Sequence, residues 1–296
     1  MHPLAEIRSL ISRHTRPGEV SPPINGVRLV AQTAPTVPTN GIHEAALALV
    51  VQGAKRTVLG GKVFEYGAGD YLVVPVELPV IGQVVEASPR KPYLAFVWDL
   101  NPAEIATLTL ETGMEKRGAV SPSCLSVCRA PTDLLDPIAR LLRLLYRPDD
   151  IAVLRPMLER EILWRLLTGE QGETVRQIGL AESHLSRINR VIRQIRAHYA
   201  EPLRIEDLAS VAAMSVATFH RRFRSITAMS PLQFQKQVRL HEARARLIAR
   251  TKDVAAVGFD VGYESPSQFS REYRRFFGVP PGEDMKRLTG GSGRAQ

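Results

Sequence analysis

Two stretches of the chain, SVATFHRRFRSITAMSP at residues 215–231 and SPSQFSREYRRFFGVPP at residues 265–281, carry the same short pattern fifty positions apart. The matched residues of the two copies are Ser215 and Ser265, Phe219 and Phe269, Arg221 and Arg271, Phe223 and Tyr273, and Pro231 and Pro281. Such a repeat indicates a duplicated structural unit. In each copy, aromatic residues four positions apart share one helix face, and the arginine between them points elsewhere. We therefore predict two helix-turn-helix units, each with an anchored second helix that exposes a cation.

Positive charge is concentrated in the part of the chain that contains the repeat. Residues 184–296 hold 20 Lys and Arg against 10 Asp and Glu, a net charge of +10. Residues 1–183 hold the remaining 19 against 20, a net charge of −1. A basic domain with a repeated helix-turn-helix pattern favours a polyanionic partner over a merely solvated charged face.

Composition favours a reduced, cytoplasmic protein of two domains. A chain of 296 residues with 44% hydrophobic residues can build two cores. The sequence has no apolar run of about eighteen residues and no signal-peptide pattern, so we expect neither a membrane span nor secretion. Cys124 and Cys128 have no second Cys or His pair at metal-ligand spacing. We expect them to pack as ordinary apolar residues, with redox sensing as the alternative.

The first part of the chain predicts a short N-terminal helix, a small β-barrel or sandwich, and then a helical hairpin. Apolar and β-branched runs separated by Gly and Pro predict the strands. These runs are Ala46–Val51, Lys62–Tyr66, Tyr71–Pro75, Ile81–Val85 and Tyr93–Trp98. Residues 133–168 change to helical periodicity with wide leucine stripes, for which internal packing and a dimer seam are equally suitable explanations.

Seven helices are predicted between residues 188 and 288, with Ser215 as the N-cap of the first reading helix. Ser230 and Ser265 have capping-box spacing to Gln233 and Gln268. The helix that starts at Pro231 joins the two units, and Phe234, Val238, His241, Ala245 and Ile248 are expected along its buried face.

These motifs resemble the DNA-binding domain of AraC/XylS-type transcription regulators. The residues that carry the resemblance fall into three groups. They are Met214-Ser215 with residues 219–223, Met229-Ser230-Pro231, and residues 261–265 (VGYES) followed by 269–271 (FSR) and 277–281 (FGVPP). The resemblance implies a transcription regulator, not an enzyme, with two recognition helices in successive major grooves. Ala213 and Ala228 stand where many relatives have glycine, and we expect these two turns to avoid positive φ, which alanine tolerates poorly.

A second resemblance is carried by residues 51–55 (VQGAK), 66–72 (YGAGDYL), 78–80 (LPV), 87–88 (AS) and 92–94 (PYL). Through them, residues 24–128 resemble the cupin-like N-terminal module of one branch of that family. This implies an α+β chain, with a sensing or dimerising domain and helical hairpin at 1–183 and a double helix-turn-helix domain at 184–296. The expected partners are double-stranded DNA and RNA polymerase, with a small-molecule effector and a second copy of the chain as further candidates. Whether the protein activates or represses stays open at this point.

The residues expected to face DNA are the outward residues of the two second helices. They are Ala217, Thr218, His220, Arg221 and Arg224 in the first unit, and Ser267, Gln268, Ser270, Arg271, Arg274 and Arg275 in the second. Arg221 and Arg271 suit bidentate pairing with guanine, and a phosphate contact is their alternative. The other arginines suit the phosphate backbone. We expect Tyr263 to pack in the turn.

The alternative from another class is a cupin-type effector-binding or metal-dependent enzyme whose basic helices serve a different partner. A metal-dependent cupin needs several histidines inside its barrel, and only His43 lies near it. We therefore predict neither a metal nor a cofactor, and no catalytic residue. A ligand-binding hollow lined by Phe64, Tyr66, Tyr93, Phe96 and Trp98 is possible, and a purely structural core is equally compatible with these aromatics.

Overall fold

A computed structural model describes residues 2–16, 20–21, 24–114, 125–181, 183–249 and 253–290. Contacts divide the chain into two compact units, one of Met1–Asn189 with Ser225–Ala228 and one of Arg190–Arg224 with Met229–Gln296. In these described ranges, no helix combines the length and the apolar character that crossing a membrane requires.

The first unit begins with the predicted amphipathic helix, α1 (Pro3–His14), and its described residues then form ten strands. The strands are β1 (Val20–Ser21), β2 (Val27–Gln32), β3 (Thr39–His43), β4 (Ala46–Gln52), β5 (Ala54–Leu59), β6 (Lys62–Gly67), β7 (Asp70–Val74), β8 (Leu78–Glu86), β9 (Tyr93–Asp99) and β10 (Val127–Arg129). All five predicted strands are present within a few residues of their expected bounds. The others were missed because their apolar residues are too few, or too mixed with polar ones, to stand out.

The strands form two antiparallel sheets and not one closed barrel. Six strands follow the order β1-β2-β9-β4-β7-β10, and four follow the order β3-β8-β5-β6. The chain changes sheet between β4 and β5 at Gly53, and between β6 and β7 at Gly69. Both glycines have positive φ, of 75° and 87°. This conformation turns the chain sharply and is readily adopted by glycine, so these two residues let neighbouring strands join different sheets.

Tyr66 and Tyr93 line a cavity between the two sheets, as the predicted hollow required. Phe96 and Trp98 do not line it, although both are buried. Successive side chains of a strand point to opposite faces, so Tyr93 and Phe96 cannot share the inner face of β9. Phe64 is also absent from the cavity wall. Tyr66 and Tyr93 therefore line a cavity, whereas Phe96 and Trp98 have the purely structural role that was the open alternative.

The helices of the first unit are α2 (Pro102–Glu111), α3 (Thr132–Arg143), α4 (Pro148–Thr168) and α5 (Gly172–Gly179). The predicted hairpin is α3 packed against α4, and ion pairs of Asp133 with Arg165 and of Arg140 with Glu161 are consistent with antiparallel directions. The apolar stripe residues along α3 are buried, and so are those in the second half of α4. The first half of α4 leaves Val153, Leu154 and Met157 exposed, so internal packing does not account for the whole of its apolar stripe.

Cys128 is a buried free thiol on β10. Burial raises the pKa of this thiol, which disfavours the reactive thiolate. Cys124 lies outside the described residues.

Seven helices follow from residue 184 in the described chain, as expected. They are α6 (His184–Ala197), α7 (Ile205–Val211), α8 (Val216–Thr227), α9 (Pro231–Ile248), α10 (Val254–Asp260), α11 (Pro266–Phe277) and α12 (Pro281–Gly290). Helix α9 starts with the predicted capping box, in which Ser230 and Gln233 exchange hydrogen bonds.

The buried face of α9 changes along its length. Phe234 and Val238 are buried as predicted, but Ala245 and Ile248 are exposed. In their place Leu240, Ala243 and Leu247 enter the core that α10 and α11 build. Phe234 packs instead against Phe223 of α8, with ring centroids 5.6 Å apart. The predicted stripe fails in its second half because one helix serves two cores that lie on different sides of it.

Candidate nucleic-acid interface

Helix α8 is anchored by its two phenylalanines. The Phe219 and Phe223 side chains are fully buried, and their rings meet edge to face with centroids 5.5 Å apart. At the start of the helix, the Thr218 backbone N–H donates to Ser215 Oγ over 3.4 Å, so Ser215 acts as the predicted N-cap. These contacts hold the helix by one face and leave the other available to solvent.

The open face of α8 carries the residues that the pattern predicted. Ala217, His220, Arg221 and Arg224 are exposed, and Thr218, whose hydroxyl accepts a hydrogen bond from Ser215, is half-buried.

Helix α11 repeats this arrangement in the second helix-turn-helix. Phe269 and Tyr273 are fully buried with centroids 5.5 Å apart, and Tyr263 packs on Phe269 at 5.3 Å. The predicted position of Tyr263 in the core of the turn is thus observed. Ser265 Oγ accepts from the Gln268 backbone N–H at the start of the helix.

The open face of α11 presents Ser267, Arg271, Arg274 and Arg275, all exposed, with Gln268 and Ser270 half-buried. Every predicted site residue therefore lies on the open side of its helix or at the edge of that side.

The exposed guanidinium groups of α8 and α11 differ from the cations of α9. Within the described residues, Arg221, Arg224, Arg271, Arg274 and Arg275 make no recorded ion pair or side-chain hydrogen bond. On α9, by contrast, three cations are bound to acids: Lys236 to Glu272 at 3.0 Å, Arg244 to Asp284 at 2.9 Å, and Arg246 to Asp260 at 3.5 Å. Five exposed guanidinium groups without a recorded acidic partner in the described chain thus lie on the two helices that the repeat identified, which suits a polyanion.

Glu272 organises one edge of the α11 face. Its carboxylate accepts hydrogen bonds from Lys236 Nζ (3.0 Å), the Tyr263 hydroxyl (3.0 Å) and Gln268 Nε2 (3.3 Å). Burial favours the neutral acid, but these three hydrogen bonds hold the pKa of the Glu272 carboxyl below its usual value. Gln268 is therefore oriented by an acid that the sequence reasoning did not identify. Only its i,i+4 spacing from Gln268 could have suggested it.

Arg239 of α9 holds the turn between α10 and α11, in the second helix-turn-helix. Its guanidinium donates to the carbonyl oxygens of Tyr199, Ala200, Glu201 and Gly262, at 2.6 to 3.2 Å. Burial lowers the pKa of Arg239, although the nearby Tyr263 and Glu272 oppose this shift. The segment after α6 and the turn before α11 are thereby tied to one side chain.

The two turns expected to avoid positive φ adopt it. Ala213 has φ of 50° and Ala228 has φ of 60°, so that expectation is wrong. The corresponding residues of the second copy are glycines, Gly262 at 91° and Gly278 at 80°. Ala213 and Gly262 are each followed by a residue whose backbone N–H donates to the carbonyl oxygen five residues earlier. Met214 donates to Ala209, and Tyr263 donates to Gly258. This hydrogen bond closes the turn and outweighs the preference of alanine for negative φ.

In the described residues, no group of three or more His, Cys, Asp and Glu side chains could hold a metal ion.

Comparison with known proteins identifies both halves of the chain. The model of the AraC-type transcriptional regulator N-terminus matches residues 23–174, and a helix-turn-helix domain model matches residues 208–287.

Among curated relatives, the transcriptional regulator ArgR of Pseudomonas aeruginosa is 28% identical over 152 residues, which are 51% of this chain and 46% of that protein. The transcriptional activator RclR of Escherichia coli is 32% identical over 121 residues, 39% of this chain and 43% of that protein. The matched regions thus span less than half the length of these relatives.

Among solved structures, ToxT of Vibrio cholerae with a bound unsaturated fatty acid superposes with a TM-score of 0.54. The match covers 89% of this chain and 95% of ToxT at 11% identity, which establishes similarity of fold.

Proposed function

Because this chain belongs to the AraC-type transcriptional regulators, we propose that it binds specific DNA sequences and regulates transcription in response to a small effector. The observation that carries the proposal is the set of exposed arginines on α8 and α11, for which the described residues provide no recorded acidic partner. In this proposal the two helices enter successive major grooves, and helix α9 separates them. Its 18 residues span about 27 Å, close to the ~34 Å helical repeat of DNA.

The outward residues have different proposed roles. Arg221 and Arg271 read guanine through its O6 and N7 acceptors, because a guanidinium can donate to both at once. Arg224, Arg274 and Arg275 contact phosphates and set the register of the protein on the duplex. Ala217, Thr218, His220, Ser267, Gln268 and Ser270 complete the two contact faces.

The two reading helices are not equivalent, since His220 and Ala217 of the first correspond to Ser270 and Ser267 of the second. One protomer should therefore recognise two unlike half-sequences rather than a palindrome.

We assign residues 1–183 to sensing or dimerisation and residues 184–296 to DNA binding, in a cytoplasmic protein whose partner in transcription is RNA polymerase. The exposed apolar residues on the first half of α4, Val153, Leu154 and Met157, suit contact with a second copy.

Genome-wide footprinting of the purified full-length chain tests the proposal. The expected result is a small set of enriched sites that share a non-palindromic motif in two parts about ten base pairs apart. The double variant Arg221→Ala/Arg271→Ala should lose this enrichment but keep weak, salt-sensitive binding. The absence of any shared motif among the sites of the unaltered chain would contradict sequence-specific regulation.

A further inference from the structure

A cavity of about 250 Å³ lies between the two sheets of the first unit. The six-stranded sheet contributes Ala46, Ala48 and Ala95 to its wall, and these short side chains leave room next to valines and leucines of the same sheet. The four-stranded sheet contributes Lys55 of β5 and Tyr66 of β6. At ~30 Å³ per molecule, the space corresponds to roughly eight waters.

Lys55 is an unusual residue for this wall. Side chains alternate along a strand, so Lys55 shares a face with Thr57 and Leu59, both buried. It stands opposite Tyr66 in the strand register, and the Tyr66 hydroxyl is 2.8 Å from Thr57 Oγ1. A Cβ built at Gly82 would be 3.7 Å from Lys55 Nζ, so this glycine leaves room for the end of the lysine side chain. Desolvation lowers the pKa of the Lys55 amine.

The Lys55 amine has no recorded acidic partner in the described part of the chain. Arg28, at the same cavity, is neutralised by Asp99 at 2.7 Å and by Glu44 at 3.6 Å. His43 also lines the cavity, where burial first, and then the charges of Lys55 and Arg28, lower its pKa to about 3. Glu44, which also lines the cavity, is the acid that pairs with Arg28. Among the described residues the cavity therefore contains a desolvated amine without a recorded counter-charge, which is an unfavourable state for the empty protein.

We propose that this cavity binds a small organic monoanion, a carboxylate with an apolar body and roughly eight to nine non-hydrogen atoms in all, whose charge pairs with Lys55. The apolar body contacts the alanines and valines of the six-stranded sheet. Binding supplies the counter-charge that the amine lacks and covers the apolar wall at the same time. The role of this ligand as the effector rests on the proposed function, whereas binding itself does not.

Isothermal titration calorimetry on the full chain tests the proposal with benzoate and hexanoate as probes. Benzamide and hexanol serve as neutral controls of matched size, and inorganic phosphate serves as an anion without an apolar body. We expect the carboxylates to bind at least tenfold more tightly than their neutral counterparts and than phosphate. Equal binding of neutral and charged probes, preference for phosphate, or no binding of either carboxylate would overturn the proposed ligand class.

Two variants locate the charge. Lys55→Met should weaken carboxylate binding at least tenfold while the melting temperature of the ligand-free protein stays equal or rises, because an unpaired buried amine is removed. Lys62→Met, an exposed lysine on β6, should leave binding unchanged. Unchanged carboxylate affinity in Lys55→Met would refute the role of Lys55. DNA binding, measured separately by gel shift, distinguishes this failure from failure of the proposed function.

Discussion

At the scale of single residues, the character of the second unit depends on which cations find a partner inside the protein. Arg244 lies against Asp284, whereas Arg221 and Arg271 have no recorded partner in the described chain. A guanidinium that is exposed and unpaired can donate to a base edge or a phosphate without first breaking an internal hydrogen bond.

We expect Arg271→Ala to lose discrimination at one base pair of the binding site. A bidentate arginine–guanine contact contributes about 1 to 3 kcal/mol of discrimination, so the preference at that position should fall by about tenfold to a hundredfold. Binding to a library of site variants measures this. Arg274→Ala is the matched control and should weaken all variants alike. Equal losses across the library for Arg271→Ala would eliminate its base-reading role.

Gly262→Ala should destabilise the second unit by about 2 to 4 kcal/mol. A Cβ at this position would be 2.3 Å from the carbonyl oxygen of Ala200, and the residue has φ of 91°. The reverse change, Ala213→Gly, should alter stability by less than about 1 kcal/mol, since relief of positive φ is offset by the greater freedom of glycine in the unfolded chain. Calorimetric melting of both variants tests the pair, and an unchanged transition for Gly262→Ala would contradict the close contact.

At the scale of elements, α9 is the helix on which the second unit is organised. Its first part packs through Phe234 on α8, and its second part enters the core of α10 and α11 through Leu240, Ala243 and Leu247. The periodicity of α9 predicted the helix and the face of its first half. It did not predict the change of face, because that depends on helices that follow tens of residues later.

Glu272→Gln should reduce the discrimination that depends on Gln268. The carboxylate of Glu272 orients Gln268 and also lies near the DNA-facing side, so its neutralisation should loosen Gln268 while total DNA affinity stays equal or rises. Site-library binding should show a loss of preference, by about threefold to tenfold, at one base step. Glu283→Gln, which removes an acid paired with Arg287 on α12, should leave the preference unchanged. A general loss of affinity at all steps would indicate a structural role only.

The His241 side chain should make the second unit less stable in acid. Burial, assisted by the charge of Arg244, lowers its pKa from 6.5 to about 4. The unfolded chain therefore binds a proton below pH 6.5 that the folded chain does not take up until about pH 4. Stability should fall by up to about 3 kcal/mol as the pH decreases through this interval.

Hydrogen exchange of the α9 amides between pH 7.5 and 4.5, corrected for intrinsic exchange rates, measures this loss. His241→Gln should remove part of the pH dependence. A pH dependence identical to that of the unaltered chain would show that the burial of His241 is not its cause.

At the scale of the whole molecule, charge and fold are divided between the two parts of the sequence. Residues 184–296 carry a net charge of +10 and contain the reading helices, while residues 1–183 carry a net charge of −1 and contain the sheets. The electrostatic part of DNA binding should therefore come almost entirely from the second part.

We expect DNA binding to be strongly dependent on salt. If six phosphates are contacted, affinity should fall by about a thousandfold between 50 and 200 mM salt. Fluorescence anisotropy with a footprinted site measures the slope. Removing Arg224 and Arg274 together should reduce the slope by about two, whereas Lys62→Met should not change it. A slope near zero would be incompatible with contacts to the phosphate backbone.

The sequence by itself determined the two helix-turn-helix units, their caps and the outward position of their arginines. These features depend on residues three to five positions apart, where helical periodicity and capping act locally. Only the tertiary structure decided that the strands form two sheets, that Lys236 of α9 pairs with Glu272 of α11, and that Lys55 borders a cavity without a recorded acidic partner in the described chain. These depend on contacts between residues distant in the chain or on sheet register, which local patterns do not encode. The turns at Ala213 and Ala228 show the same limit, since the fold imposes positive φ on residues that disfavour it.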